Sequence, residues 1–325
     1  MAANINSMVS GKGIKPWHGL GVIVEGLMTA ADCLKRAGLD WNVSKDALQT
    51  AGGIVVPNAF AMRREDTNKI LGVVGNQYTA LQNKDAFSYM DAITQDHGSC
   101  KYETAGALGD GERVWLQVSV EGDIYIKGKE SGDTIQRYIL LANSHDGSSP
   151  LLLGTTMVRV VCQNTLTAAL KDASAMFKVR HTKGIGDKVT DARLALGVIN
   201  KSYEELEAKM QALTAIPVSE KAFAGYIGSL GFDTDATKGK GKGAVDTLTA
   251  LYLGEGMGAK LDTAKGTAWG ALNAVTQYVD HERSTRVTAA SSFKSEGEAR
   301  LASQWFGSGL MLKEKALDKA LLLAA

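Results

Sequence analysis

The sequence predicts an α+β fold, in which a curved antiparallel β-sheet with packed helices is followed by a helical C-terminal region. Three observations predict it. Short β-rich runs separated by Gly, Asn and Asp turns fill most of the first half. At Asn164 the apolar spacing changes to three and four residues, the period of a helix. Hydrophobic residues make up 45% and charged residues 22% of the 325-residue chain, the balance of a folded globular protein with a sizeable core. The chain divides into an N-terminal arm over 1–24, a sheet domain over 25–188 and a mostly helical region over 189–325.

The first element is a short helix with Thr29 as N-cap, Asp32 in the capping-box position and Gly38 as C-cap. Gly53–Arg63 and Lys69–Val74 read as strands of a hairpin, joined by the polar turn Glu65-Asp-Thr-Asn68. Asn83 caps a helix to about Thr94, on which Ala86, Phe87, Met90 and Ile93 share a face. Strands follow at Lys101–Ala107, Arg113–Val120, Asp123–Lys127, Gln136–Ala142 and Leu152–Val161, the first two joined by Gly109-Asp-Gly111. Leu166, Ala169, Leu170, Ala173 and Phe177 then lie on one face of a helix opening at Asn164 or Thr165. A basic loop from Lys178 to Lys188 leads to a long helix from about Thr190 to Leu213, stopped by Pro217. Shorter helices are predicted at Ser219–Ser229 and Val245–Leu253, around a flexible basic loop from Thr237 to Gly243. Helices near Thr267–Arg283, Glu296–Trp305 and Leu310–Leu323 complete the chain.

Composition and spacing narrow the function. The net charge is +1, so an anion-binding surface must come from uneven placement of charge. Cys33, Cys100 and Cys162 are far apart and odd in number, which argues against a disulfide framework or a zinc site and fits a reduced cytosol. The N-terminus lacks an apolar secretory core, and no run approaches the roughly 18 to 20 apolar residues of a membrane span. A cytoplasmic protein without membrane contact is therefore expected.

Candidate chemistry is sparse. Trp17-His-Gly-Leu-Gly21 reads either as a ligand-contact loop or as an arm pinned by Trp17. Asn143-Ser-His-Asp-Gly-Ser-Ser149 offers His145, Asp146 and serines, yet a nucleophile–base–orienter line is drawn from distant segments rather than one turn. His18, His97, His145, His181 and His281 show no metal-ligand spacing. Gly106–Gly111 and Gly254–Gly258 lack the order of a phosphate-binding loop. Binding without covalent catalysis, cofactor or metal is the expectation.

What remains is charge. From Arg159 to Lys188 the chain carries Arg159, Lys171, Lys178, Arg180, Lys183 and Lys188 against Asp172 and Asp187, with His181 able to add to the positive side. Such a stretch is either an ordinary solvated face or, along a strand and helix of a curved sheet, a groove that tracks phosphates. Arg63, Arg64 and Lys69 on the first hairpin extend the candidate nucleic-acid-binding set, and Lys238 to Lys242 would add a mobile contact.

Several segments in order resemble one family: Pro16-Trp-His-Gly-Leu-Gly21, Ala37-Gly-Leu-Asp-Trp41, Leu71-Gly-Val-Val-Gly75, Tyr102-Glu-Thr-Ala-Gly106, Asn143-Ser-His-Asp-Gly147, Val158-Arg-Val-Val-Cys-Gln-Asn-Thr165, Gly266-Thr-Ala-Trp269 with Tyr278-Val-Asp-His281, and Trp305-Phe-Gly-Ser-Gly309. Together they resemble the phage/plasmid-like protein family, domain of unknown function nine-three-two. The resemblance implies a mobile-element origin in a bacterial host and carries no activity. A second set, Glu25-Gly-Leu27, Cys33-Leu-Lys-Arg-Ala-Gly-Leu-Asp-Trp-Asn-Val43 and the strands Ala59–Arg64 and Ile70–Gly75, is similar in pattern to the Rad-fifty-two-type annealing fold, shared in outline by Red-beta and Erf proteins. That resemblance implies a basic helix across the sheet, for which the helix from Asn164, carrying Lys171 and ending in Lys178 and Arg180, would be the counterpart. The extra helix and strands between the hairpin and residue 142 depart from it.

The expected function is single-stranded DNA binding and strand annealing without ATP, by a homo-oligomer forming a ring or filament. A host or phage single-strand-binding protein is a further expected partner. The alternative is a mobile-element interaction protein that inhibits a host defence or repair factor through its helical half. A hydrolase using His145 and Asp146 is the third reading.

Overall fold

A computed structural model describes residues 7–10, 22–23, 29–95, 100–130, 132–159, 165–167, 176–185, 192–285, 287, 293 and 295–324. Trp17 to Gly21, Cys162, Lys171 and Lys188 lie outside the described residues. The fold is α+β and its sheets are almost wholly antiparallel, as the sequence predicts.

Two short strands, β1 (Ser7–Ser10) and β2 (Val22–Ile23), pair in parallel. Helix α1 (Ala30–Arg36) begins with the expected capping box: the Thr29 hydroxyl accepts from Asp32 N at 3.1 Å, and the Asp32 carboxylate accepts from Thr29 N. A three-stranded sheet follows from β3 (Val43–Gln49), β4 (Val55–Arg64) and β5 (Ile70–Val74). The predicted hairpin is β4–β5. Strand β3 has no counterpart in the sequence reading, because Val-Ser-Lys-Asp-Ala-Leu-Gln lacks clean alternation and owes its extension to pairing with β4, Val43 opposite Arg64.

After α2 (Asn83–Gln95), the large sheet is built from β6 (Lys101–Leu108), β7 (Arg113–Lys127), β8 (Gly132–Ser144) and β9 (Leu151–Arg159). The two predicted strands of 113–127 are one strand, whose register shifts against β8 between Val120 and Ile124, a bulge that bends the ribbon. The predicted helix from Asn164 to Phe177 is overturned. Its two ends are strands β10 (Thr165–Thr167) and β11 (Met176–Val179), which run in the same direction along the edge of β9. The open N–H and C=O groups of that edge reward extended chain, and this outweighs the helical spacing of the apolar residues. The sheet order is β10-β9-β8-β7-β6-β1-β2, with β11 also on β9.

One face of this sheet packs against helices. Leu116, Leu141 and Leu153 share a core with Phe87 and Met90 of α2 and with Tyr203, Leu206 and Met210 of α3 (Ala192–Thr214). Helix α4 (Glu220–Leu230) runs between a Ser219 cap and Gly231, whose φ of 102° suits glycine. The basic stretch expected to be a loop instead opens helix α5 (Gly239–Ala250), where Lys242 pairs with Asp246 one turn on and buried Leu248 anchors the helix against its glycines. Helices α6 (Ala268–Gln277), α7 (Glu296–Phe306) and α8 (Ser308–Leu321) complete the described chain. Trp269 Nε1 donates to the buried Asp133 carboxylate at 3.0 Å, and Tyr203 Oη to the Tyr138 carbonyl at 2.6 Å, tying helices to sheet.

Candidate functional site

Where β4, β5 and the β8–β9 loop meet the end of β11, they enclose an open cleft of about 1020 Å³. One wall is Asn58 of β4 with Gly75 to Tyr78, the segment that leaves β5. The opposite wall is Gly147 to Pro150. Lys178, Arg180, His181 and Thr182 form the rest of the lining.

Each wall is held by its own hydrogen bonds. Lys45 Nζ donates to the carbonyls of Asn76 and Tyr78, both at 2.8 Å. Tyr78 Oη donates to the Ser144 carbonyl at 2.6 Å, and its ring stacks on His181 with centroids 4.9 Å apart. In the opposite wall the Asp146 carboxylate accepts from Ser144 Oγ at 2.7 Å and from Ser148 N at 2.9 Å, closing a turn on Gly147, whose φ is +76°. Behind it, Gly72 of β5 lets the loop approach closely: a Cβ there would stand 2.8 Å from Asp146 Cα.

Lys178 and Arg180 are exposed, and among the described residues neither takes part in an ion pair. His181 is buried, with 6% of its surface exposed, and neither ring nitrogen makes a hydrogen bond of good geometry. Desolvation lowers its pKa, partly offset by the nearby Thr79 carbonyl and the Asp146 charge. The cleft therefore combines two exposed cations without ion pairs among the described residues, a buried imidazole and amide and hydroxyl side chains. That set suits an anionic ligand.

The other predicted site residues are placed differently. Lys183 is exposed one residue past Thr182. Arg159 closes β9 at the end remote from Leu152, the partner of Lys178, roughly 23 Å along the strand at about 3.3 Å per residue. Arg63 is held by Asp46 at 2.6 Å. Arg64 is buried, clasped by the Asp66 carboxylate at 2.7 and 2.9 Å, and lies over the Trp41 ring. Lys69 stands 3.7 Å from Asp110. Of the predicted set, Lys178, Arg180 and His181 meet in one cleft, while the three hairpin cations already face carboxylates.

His145 is fully buried, its Nε2 facing Asn83 Oδ1 at 2.8 Å and its ring edge on Trp41. Asn83 Nδ2 donates to the Leu39 carbonyl, so Oδ1 is left as acceptor and Nε2 carries the hydrogen. Desolvation takes the His145 pKa down to about 3. The hydrolase reading loses its general base, since this imidazole is sealed from any exposed substrate. Asn58, the Gly75–Tyr78 segment and Thr182 were absent from the sequence reading. The signal for Asn58 is Pro57-Asn58, a turn-type pair inside a strand, where Asn58 adopts φ 57°.

Among the described residues no group of three His, Cys, Asp or Glu is placed to hold a metal ion, and no helix is long and apolar enough to cross a membrane. A family model described as Domain of unknown function (DUF932) matches residues 70–305. No curated protein and no solved structure matches the chain.

Proposed function

The chain belongs to the DUF932 family, and from that premise we propose that it is a single-stranded DNA-binding and strand-annealing protein of a phage or plasmid, acting as a homo-oligomer without ATP. The observation that carries this reading is the cleft lined by Lys178 and Arg180, two exposed cations without ion pairs among the described residues. Phosphates on these cations release condensed counterions, which supplies affinity that is strong at low salt and indifferent to sequence. Neutralising two backbones lowers their mutual repulsion and leaves base edges free to pair. Oligomerisation would multiply weak contacts along the strand, and a host or phage single-strand-binding protein would be displaced or recruited at the same strand.

The test is annealing of complementary oligonucleotides by purified protein without ATP or metal, with particles imaged for rings. Replacing Lys178 and Arg180 by alanine should slow annealing and weaken binding alike on every sequence. The slope of log affinity against log salt should flatten by about 1.4, roughly 0.7 for each lost phosphate contact on a single strand. No binding by the wild-type protein would end this reading, and unchanged binding by the variant would move the site elsewhere. A second reading, a protein that blocks a host defence or repair factor, is favoured by Leu253 and Met257, both exposed in the helical half. Specific retention of a host protein without measurable oligonucleotide affinity would select it.

A further inference from the structure

Beyond the end of β5, strands β3 and β4 continue with no further partner strand among the described residues. Phe60 pairs with Val74, the last residue of β5, and past that point Ala47 faces Phe60, Gln49 faces Val55, and the chain turns through Thr50 to Ile54. No residue from Ser44 to Phe60 is buried. No charged residue lies between Asp46 and Arg63. The tip carries Ile54 at 71% exposure and Val55 at 55%. A two-stranded arm is marginal on its own, and exposed strands are usually protected by charge, so a neutral apolar arm is suited to contact with another molecule.

Charge indicates which kind. Asn58, the residue of this arm that lines the cleft, shares it with Lys178 and Arg180, so the neutral arm with its apolar tip rises from the rim of a cleft that carries two cations. An apolar protein face laid across both the arm and the cleft would desolvate the two cations without supplying counter-charge. Single-stranded nucleic acid satisfies both surfaces, with phosphates on one edge and flat base faces on the other. Resting on the nucleic-acid reading above, we infer that the β3–β4 arm is the base-contacting wall of the cleft. Ile54, Val55 and Pro57 insert against successive bases, as apolar wedges do in other nucleic-acid complexes. The tip stands roughly 13 Å along β4 from Asn58 at about 3.3 Å per residue, room for several bases stacked at about 3.4 Å.

The test compares an oligothymidylate with an abasic oligomer of the same length, each titrated with wild-type protein, with Ile54→Ser/Val55→Ser, and with Lys178→Ala/Arg180→Ala. Circular dichroism checks that each variant is folded. The wild-type protein should prefer the oligothymidylate. The tip variant should lose about tenfold on it and nothing on the abasic oligomer, one base contact of about 1.4 kcal/mol. The cation variant should lose on both. Unchanged oligothymidylate binding by the tip variant, an equal loss on both oligomers, or a change only in particle size would overturn the arm assignment and leave the cleft reading standing. Failure of the wild-type protein to bind either oligomer would overturn both.

Discussion

His181 shows what a single side chain adds to the cleft. Its ring is buried against Tyr78, with Asp146 and His145 on neighbouring elements and Lys178 and Arg180 on its own segment. Desolvation holds its pKa below the ordinary imidazole value, which favours the neutral ring. A bound phosphate supplies counter-charge and raises that pKa, so binding takes up a proton, and affinity should rise as pH falls from the alkaline side of the imidazole range to the acid side. Oligonucleotide titrations at about pH 8 and about pH 5.5 would show this for the wild-type protein, and His181→Asn should bind with no such dependence. An identical pH profile in the variant would remove His181 from the contact. Lys178, Arg180 and His181 were legible in the sequence because clustered charge needs no fold to be seen. The neutralisation of Arg63, Arg64 and Lys69 was not, since their carboxylates, Asp46, Asp66 and Asp110, reach them across strands and turns.

At the scale of elements, the cleft depends on how closely the β8–β9 loop sits on β5. The loop's own bonds, from Ser144 and Ser148 to Asp146, shape it, but Gly72 sets its distance from the strand. Gly72→Ala would press a methyl group into the Asp146 backbone and should cost about 1–3 kcal/mol of stability, with a matching loss of oligonucleotide affinity. Urea unfolding and titration of the same preparation would measure both, and wild-type values in each would refute the role. The capping box of α1 and the Asn83 helix start were readable because their signals are local. Strands β10 and β11 run against the helical spacing of their residues because the decisive partner, the edge of β9, exists only once the sheet is assembled.

Across the whole molecule, sheet and helices share one apolar core. Leu116 and Leu141 of the sheet belong to the same buried cluster as Trp269 and Val275 of α6, and Asp133 bonds Trp269 across the junction. Urea unfolding followed by tryptophan fluorescence and by far-ultraviolet circular dichroism should therefore give coincident transitions, and two separated transitions would show that the halves unfold independently. The sequence by itself determined the fold class, the capping box of α1 and the basic stretch around residue 180, because each depends on neighbours along the chain. Only the tertiary structure decided that three of those basic-stretch residues share a cleft with Asn58 and the Gly147 loop, that His145 is sealed away, and that β3 and β4 extend as a neutral arm. Those features arise where distant strands satisfy one another's hydrogen bonds, and no local pattern encodes which edge will meet which.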